Sequence, residues 1–67
     1  MRYRIETWEN AREVHYSESL SRAQVEANLS RSGNEVRLAV CQDLDKRHTD
    51  TYTDFANRIF IVTALDK

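Results

Sequence analysis

Apolar and polar residues alternate along several short runs of the chain, and this two-residue period is typical of half-buried β-strands. The first run covers residues 2–8 and carries Trp8 on its polar face. A short polar segment separates it from a second run at residues 13–17, in which Val14 and Tyr16 form the apolar face. The two runs together predict a β-hairpin.

A segment of helix-forming residues follows at 19–32 and predicts one α-helix. Ser19 is one candidate N-cap, because its hydroxyl can accept a hydrogen bond from a backbone N–H two or three residues on. Ser21 is the alternative, since Gln24 then completes the spacing of a capping box. Gly33, the only glycine, is expected to end the helix because glycine adopts the left-handed conformation at little cost.

The predicted helix has two weakly apolar faces. At the angular spacing of an α-helix, one stripe suits close packing on a sheet and consists of Leu20, Ala23 and Ala27. Val25 and Leu29 lie on nearly the opposite side. If the alanine-rich stripe faces the core, these two residues stay partly exposed on the outer face of the helix.

The second half of the chain predicts further strands. Residues 35–42 alternate and predict a third strand, while the strongly charged residues 43–50 predict a loop. Residues 51–55 have high β-propensity and predict a short edge strand, followed by a turn at 56–57. Residues 58–65 form the most hydrophobic run, which is apolar on both faces and is therefore expected to be at least partly covered on both.

These elements predict an α+β fold: an antiparallel sheet of four to five strands with one α-helix packed on one face, in a ββαββ-like order. The 67 residues have room for a single domain, 1–67. One cysteine excludes an intramolecular disulfide, and domains this short usually need tight packing or association to be stable. The hydrophobic fraction of 40% is high enough for a folded domain.

One helix covers only one face of such a sheet. The face beneath the helix is predicted to hold Tyr3, Ile5, Val14, Tyr16, Val36, Leu38, Val40, Ile59 and Ile61. The opposite face then carries Trp8, Ala39, Cys41, Phe60 and Val62. Exposed apolar patches of this kind often mark association surfaces. Three alternatives remain open: residues 43–57 fold over the face with Tyr52 and Phe55, two copies of the chain pair through it as a homodimer, or a dedicated partner docks on it.

The charge of the chain argues against two classes of partner. A formal net charge of −1 provides no general attraction to nucleic acid or to an anionic membrane. The longest apolar run spans residues 59–62, far short of the ~20 residues that cross a bilayer. With no apolar leader at the N-terminus and a single thiol, the expected compartment is the cytoplasm. Most of the cationic residues are arginine, which suits protein interfaces but also follows from GC-rich codon usage.

The residues that carry metal or catalytic chemistry do not form a recognisable set. Cys41, His15 and His48 lack the spacing of a zinc site, and residues 43–50 lack the central glycine and closing glutamate of a calcium loop. A nucleophile built on Cys41 is disfavoured, because a thiol inside a strand usually packs as a small hydrophobic group. We therefore expect a protein that is not an enzyme, with no catalytic residues, no cofactor and no metal.

Residues 16–24, Tyr-Ser-Glu-Ser-Leu-Ser-Arg-Ala-Gln, follow the predicted hairpin and precede the later strands. This part of the chain resembles very small phage-encoded proteins, including some anti-CRISPR proteins and other host-takeover factors, in which a strand leads into a Ser/Thr-Leu-x-x-Ala helix start packed on an antiparallel sheet. The resemblance implies a non-enzymatic inhibitor that works in the host-cell cytoplasm, where it binds a bacterial protein or ribonucleoprotein complex and blocks it. No functional residue is carried over from it.

The sequence thus predicts a small binding protein that acts by occupying the surface of another protein. The candidate contacts are Arg4, Trp8, Arg37 and Phe60 on the open sheet face, or Arg22, Val25 and Leu29 on the outer face of the helix. The first alternative function is a nucleic-acid-binding regulator in which bases stack on the aromatic rings of the same sheet face. The second is an enzyme or redox protein centred on Cys41.

Overall fold

The computed structural model describes residues 2–47 and 50–65. Within them the chain forms, in order, β1 (Tyr3–Glu9), β2 (Arg12–Leu20), α1 (Arg22–Ser30), α2 (Asn34–Arg47), β3 (Thr51–Phe55) and β4 (Arg58–Ala64). The strands make one antiparallel sheet in the order β2-β1-β4-β3. The predicted α+β class and antiparallel sheet of four to five strands are confirmed, and the sheet has four strands. The single helix and the ββαββ order are wrong, because α2 replaces a predicted strand.

Two tight hairpins build the sheet, as the turns at 9–12 and 56–57 predict. The four central turn residues all have positive φ: Asn10 (53°), Ala11 (60°), Ala56 (52°) and Asn57 (67°). Positive φ at both central positions is what a type I′ turn requires, and this turn matches the twist of the strands that it joins. β1 and β4 then pair in the centre of the sheet without a register shift, which leaves β2 and β3 as its edges.

α1 begins at a capping box. The Ser21 hydroxyl accepts a hydrogen bond from the Gln24 backbone N–H at 3.3 Å, and the Gln24 side chain accepts one from the Ser21 N–H at 2.7 Å. The alternative N-cap, Ser21, is therefore confirmed, while Ser19 has a φ of 62° and lies outside the helix. α1 ends at Ser30, and Gly33, with a φ of 119°, lies in the short connection to α2, where other residues would be strained.

The buried face of α1 is opposite to the predicted one. Val25 and Leu29 are buried, while Ala23 and Ala27 are exposed. Two branched side chains one helical turn apart remove more apolar area from water than two alanines do. The predicted position of Val25 and Leu29 on an outer surface is wrong, since both side chains lie inside the core.

The predicted strand at 35–42 is also wrong, because these residues belong to α2. Val36, Val40 and Leu44 are spaced by four residues and are all buried, which is the spacing of one helix face. Glu35 in the first turn and two basic residues in the last turn favour the helix dipole.

The C-terminal end of α2 lies where the sequence predicts a loop. Residues 43–47 are helical, and 48–49 are outside the described residues. Arg47 Nε contacts Asp43 Oδ1 at 3.0 Å, an ion pair between residues four apart. The charged residues 43–47 therefore extend α2 by about one turn instead of forming the predicted loop.

Both helices pack on the same face of the sheet. The buried core consists of Tyr3, Ile5, Val25, Leu29, Val36, Val40, Cys41, Leu44, Phe60, Val62 and Ala64. Phe60 and Val62 therefore lie beneath the helices, whereas Ile59 and Ile61 lie on the far side, which reverses the predicted faces of β4. The register explains this reversal, because Phe60 stands opposite Thr7, and residues directly opposite in an antiparallel pair share a face.

β2 also turns its side chains differently from the prediction. Its pairing with β1 contains two register shifts, each with an extra residue in β2. Tyr16 stands opposite Glu6 and lies on the face away from the helices, and Val14, beside one of the shifts, is exposed. The predicted inward position of Tyr16 is wrong, because a bulge interrupts the simple alternation of a strand. Val14 borders a cavity on the helix side, but it is exposed rather than buried.

Candidate functional site

The sheet face turned away from both helices is not covered by any element of the described residues. We call it the open face. Its residues are Arg4, Glu6 and Trp8 of β1, Glu13, Tyr16 and Glu18 of β2, Tyr52 and Asp54 of β3, and Ile59, Ile61 and Thr63 of β4. All four strands contribute to it, so that a molecule docked here contacts residues distant in sequence.

The strand register arranges the open face in rows that cross the sheet. The central row runs through Tyr16, Glu6, Ile61 and Tyr52. The next row runs through Glu13, Trp8, Ile59 and Asp54. Neighbouring strands lie about 4.8 Å apart and successive rows about 7 Å apart. The two rows therefore form a compact patch in which apolar side chains are interleaved with carboxylates.

Aromatic and aliphatic side chains occupy the middle of this patch. Tyr52 is 63% exposed and Tyr16 is 48% exposed, whereas Trp8, Ile59 and Ile61 are half-buried by their neighbours. Burial of apolar area is worth about 25 cal/mol per Å², and contiguous exposed patches of this kind often mark association surfaces. The open face thus retains apolar area that a docked surface would remove from water.

Carboxylates outnumber cations on the open face. Its carboxylates are Glu6, Glu13, Glu18 and Asp54, and its guanidinium is that of Arg4. Arg4 Nε lies 3.7 Å from Glu6 Oε2, so that the two charges partly cancel. Arg2, just before β1, donates a hydrogen bond to the backbone carbonyl of Ser19 at 3.1 Å. The open face is therefore acidic, although the whole chain has a formal charge of only −1.

The phenol of Tyr16 is held by an acidic neighbour. Its hydroxyl donates a hydrogen bond to Glu18 Oε2 at 2.9 Å. This hydrogen bond raises the pKa of Tyr16 above its ordinary value, and slight desolvation and the charge of Glu18 act in the same direction, while Arg4 opposes them. Tyr16 thus stays neutral and points its hydroxyl at a carboxylate.

Glu18→Gln should lower the pKa of Tyr16 toward its ordinary value, because the amide carries no charge and accepts a weaker hydrogen bond. An alkaline titration followed by tyrosinate absorbance, in wild type and in Tyr16→Phe, isolates the Tyr16 step as the difference between the curves. That step should lie above the pH at which free tyrosine ionises, and Glu18→Gln should move it to lower pH. A step that Glu18→Gln leaves in place contradicts the assigned contact.

Two N–H groups of the open face have no acceptor within hydrogen-bond distance among the described residues. They are Trp8 Nε1 and Arg4 Nε, both shielded from water by neighbouring side chains. An enclosed donor without an acceptor costs roughly 1–3 kcal/mol. Oxygen atoms supplied by a docked surface, after small side-chain movements, would remove this cost.

Of the four contacts predicted on the open sheet face, two lie on the open face and two do not. Arg4 and Trp8 are where the sequence predicts them. Phe60 is 1% exposed beneath the helices, so its predicted place on the open face is wrong. Arg37 is wrong as well, because it belongs to α2 on the other side of the sheet, where its Nη1 lies 3.7 Å from Glu26 Oε1.

Arg22, predicted on the outer face of the helix, instead joins the two helices. Its Nη2 donates to Asp45 Oδ1 at 2.9 Å, and its Nη1 lies 3.4 Å from Cys41 Sγ. The hydrogen bond to Asp45 is the main cause that raises the pKa of Arg22. Cys41 is buried on α2 beside this contact, so its predicted place on the open face is wrong.

The alternative in which residues 43–57 seal the open face is wrong for the described part of that segment. Residues 43–47 belong to α2 on the opposite side of the sheet. Tyr52 lies on the open face but is its most exposed aromatic residue, and Phe55 packs against the core on the helix side. The open face therefore lacks the predicted cover.

Several residues of the open face were not predicted from the sequence, chiefly Tyr16, Tyr52, Ile59 and Ile61. One signal was available: Ile59 and Ile61 alternate with Phe60 and Val62, and both sets are apolar. The pattern shows that β4 has two apolar faces, but only its pairing with β1 shows which set the helices cover.

Residues 2–47 and 50–65 contain no group of three or more His, Cys, Asp or Glu side chains placed to hold a metal ion. His15 lies on β2, where its Nε2 is 3.2 Å from Ser17 Oγ, whereas the buried thiol of Cys41 lies on α2 beside Arg22. In the same described residues, no helix is long and apolar enough to cross a membrane.

No protein-family model, curated protein or solved structure matches the chain.

Proposed function

We propose that this chain is a small binding protein that places its open face against a positively charged surface of another protein and blocks that surface. The observation that carries the proposal is a sheet face with an aromatic and aliphatic centre, surrounded by carboxylates, that no element of the described residues covers. Docking would bury Tyr16, Tyr52 and Trp8, and aromatic residues of this kind are enriched in protein interfaces.

The open face is better suited to association than the edges of the sheet. β2 has nine residues, but its register shifts and charged side chains hinder pairing with another strand. β3, the other edge, has five residues and carries Asp54. Both edges therefore have the features that prevent a sheet from adding strands, which leaves the face as the surface for a partner.

Charge selects the class of partner. The carboxylates of the open face repel phosphate groups, which disfavours nucleic acid. Two copies docked face to face would bring like charges together, which disfavours a homodimer through this face. A surface that carries lysine and arginine meets neither difficulty, and its cations would also pack favourably on the rings of Trp8, Tyr16 and Tyr52.

A strongly basic protein surface is typical of sites that bind nucleic acid. Carboxylates placed on such a surface would occupy it and exclude phosphate groups. The acidic open face thus supports a more specific form of the proposal. In it, the target is a bacterial protein or ribonucleoprotein complex and the effect is inhibition, as in the small phage-encoded inhibitors that part of the chain resembles. No residue role is taken from that resemblance.

Matched variants of an immobilised bait test the proposal. Tyr16→Ser with Tyr52→Ser removes exposed aromatic area from the open face, and Leu38→Ser removes exposed apolar area from α2 on the opposite side. A bacterial protein bound through the open face should fall about ten-fold or more in the eluate of the double variant, because truncated interface aromatics are common hot spots. Capture by Leu38→Ser should match the wild type, and quantitative mass spectrometry of the eluates measures both.

Three further outcomes separate the proposal from its alternatives. Glu18→Lys with Asp54→Lys should weaken the same capture, and so should added salt. The wild-type protein should leave DNA and RNA unshifted in a low-salt gel and should have the mass of a monomer by light scattering. Equal capture by all variants contradicts the proposal. A gel shift lost in the double variant would favour nucleic acid, and a dimer lost in it would favour self-association.

A further inference from the structure

A crevice opens on the helix side of the sheet, at the end where the two hairpin turns approach the connection between α1 and α2. It consists of two adjoining cavities of about 300 and 320 Å³, which share Ser32 and Arg58 in their walls. Each cavity is at the lower end of the size range of small-molecule sites. The crevice lies on the opposite side of the sheet from the open face, so that the two surfaces are separate.

The first cavity is lined by two arginines, Arg31 and Arg58. Among the described residues, Arg31 has no carboxylate partner, in contrast to the paired arginines of α1 and α2. Arg58 contacts Glu9 through its Nε at 3.5 Å, which leaves its terminal nitrogens for another acceptor. Glu9 is also the sole carboxylate in the described walls of either cavity. The crevice therefore has a positive net charge on an otherwise slightly acidic chain.

Neutral polar groups continue the wall of the first cavity. Asn28 Nδ2 donates to Ser17 Oγ at 3.5 Å, and Ser17 Oγ lies 3.2 Å from His15 Nε2. This chain of contacts positions the Asn28 amide and the His15 ring at the cavity. Both side chains offer N–H donors, which suits an anionic ligand.

The second cavity has an apolar wall. Val36, Phe55 and Phe60 line it, but Val36 and Phe60 belong to the buried core, so the half-buried Phe55 offers most of the accessible apolar surface. A ligand that reaches from the first cavity past the shared Arg58 into the second would meet the ring of Phe55. The combination suits a molecule with an anionic group at one end and an apolar group at the other.

We infer that the crevice binds a small organic anion. Its carboxylate or phosphate group lies between the guanidinium groups of Arg31 and Arg58, whose planar donors match oxygen pairs on such groups. Its apolar part packs chiefly against Phe55. The inference does not depend on the open face or on the proposed function.

Titration of the isotopically labelled protein tests this site with three defined probes. They are phenyl phosphate and phenylacetate, which join a ring to an anion, and benzyl alcohol, which has the ring without the charge. At least one of the two anions should produce saturable shifts of the backbone amides of residues 31–36 and 55–58, and the comparison shows which anionic group is preferred. Benzyl alcohol should bind about ten-fold more weakly or worse, because it cannot use the guanidinium groups.

Three variants make the assignment specific. Arg31→Gln with Arg58→Gln should weaken binding of the preferred anion about ten-fold or more, and Glu9→Gln should strengthen it by removing the competing carboxylate. Arg47→Gln, at the far end of α2, should leave the affinity unchanged. These side chains are exposed or partly exposed, and melting curves verify that the variants are folded. Absence of saturation by either anion, equal binding of benzyl alcohol, or unchanged affinity in the double arginine variant overturns the inference.

Discussion

Phe60→Ala should leave the domain largely unfolded at room temperature. Phe60 is 1% exposed at the centre of the core, and truncation of a buried phenylalanine to alanine costs about 3–5 kcal/mol. In a domain of 67 residues a single hydrophobic core rarely supplies more than about 3–5 kcal/mol of stability. The substitution therefore removes most of that stability. Urea denaturation followed by circular dichroism and by the fluorescence of Trp8, the only tryptophan, measures the loss.

Ile61→Ala is the matched control, since Ile61 is the next residue of the same strand and is half-buried on the open face. It should cost less than half as much as Phe60→Ala, because only part of the side chain leaves an apolar environment. The two variants together test which face of β4 the helices cover. Should Ile61→Ala prove the more damaging change, the faces of β4 are assigned the wrong way round, and with them the composition of the open face.

Elements that depend on sequence patterns within a few residues of one another were predicted well. β1 alternates strictly because its outer face carries charged side chains and Trp8, so only one face can be buried. The capping box of Ser21 and Gln24 and the turn at 56–57 are equally local. Each of these features is decided by the chemistry of neighbouring residues, and tertiary packing does not override it.

The faces of β4 could not be predicted in this way. Ile59 and Ile61 are as apolar as Phe60 and Val62, so the two choices bury similar areas within the strand itself. The register with β1 decides between them, and β1 lies some fifty residues away along the chain. For the same reason Tyr16 was misplaced, because the register shifts in β2 have no sequence signal as clear as a glycine.

The prediction of an uncovered sheet face nevertheless remains correct for the described residues. Two helices were found instead of one, yet both pack on the same side of the sheet and leave the other side without a cover among the described residues. Arg4 and Trp8 were predictable members because β1 was predicted correctly. Tyr16 and Tyr52 were not, since their places depend on the register of β2 and of β4. The prediction of a surface for a partner thus depended on the number of layers, whereas its composition depended on register.

The misassignment of α2 has a different cause, because its sequence contains two periods at once. Val36, Leu38 and Val40 alternate as in a strand, and Val36, Val40 and Leu44 repeat as on one helix face. Leu38 and Leu44 separate the two interpretations. A strand at 35–42 buries Leu38 and leaves Leu44 in a loop, whereas the helix leaves Leu38 44% exposed and Leu44 2% exposed. More than half of the residues in Asn34–Arg47 are good helix formers, among them Arg37, Ala39 and Gln42, which favours the helix.

Leu44→Ala and Leu38→Ala therefore form a test in which the residue type, the substitution and the helix are the same. Leu44→Ala should lower the free energy of unfolding by about 2–5 kcal/mol, because it leaves a cavity beneath α2. Leu38→Ala should change it by no more than about 0.5 kcal/mol, as is usual for an exposed site. Chemical denaturation of both variants measures the difference. Equal losses would show that α2 does not turn one fixed face to the sheet. A larger loss in Leu38→Ala would indicate that residues 35–42 form the predicted strand, so that α2 would not be part of the helical layer opposite the open face.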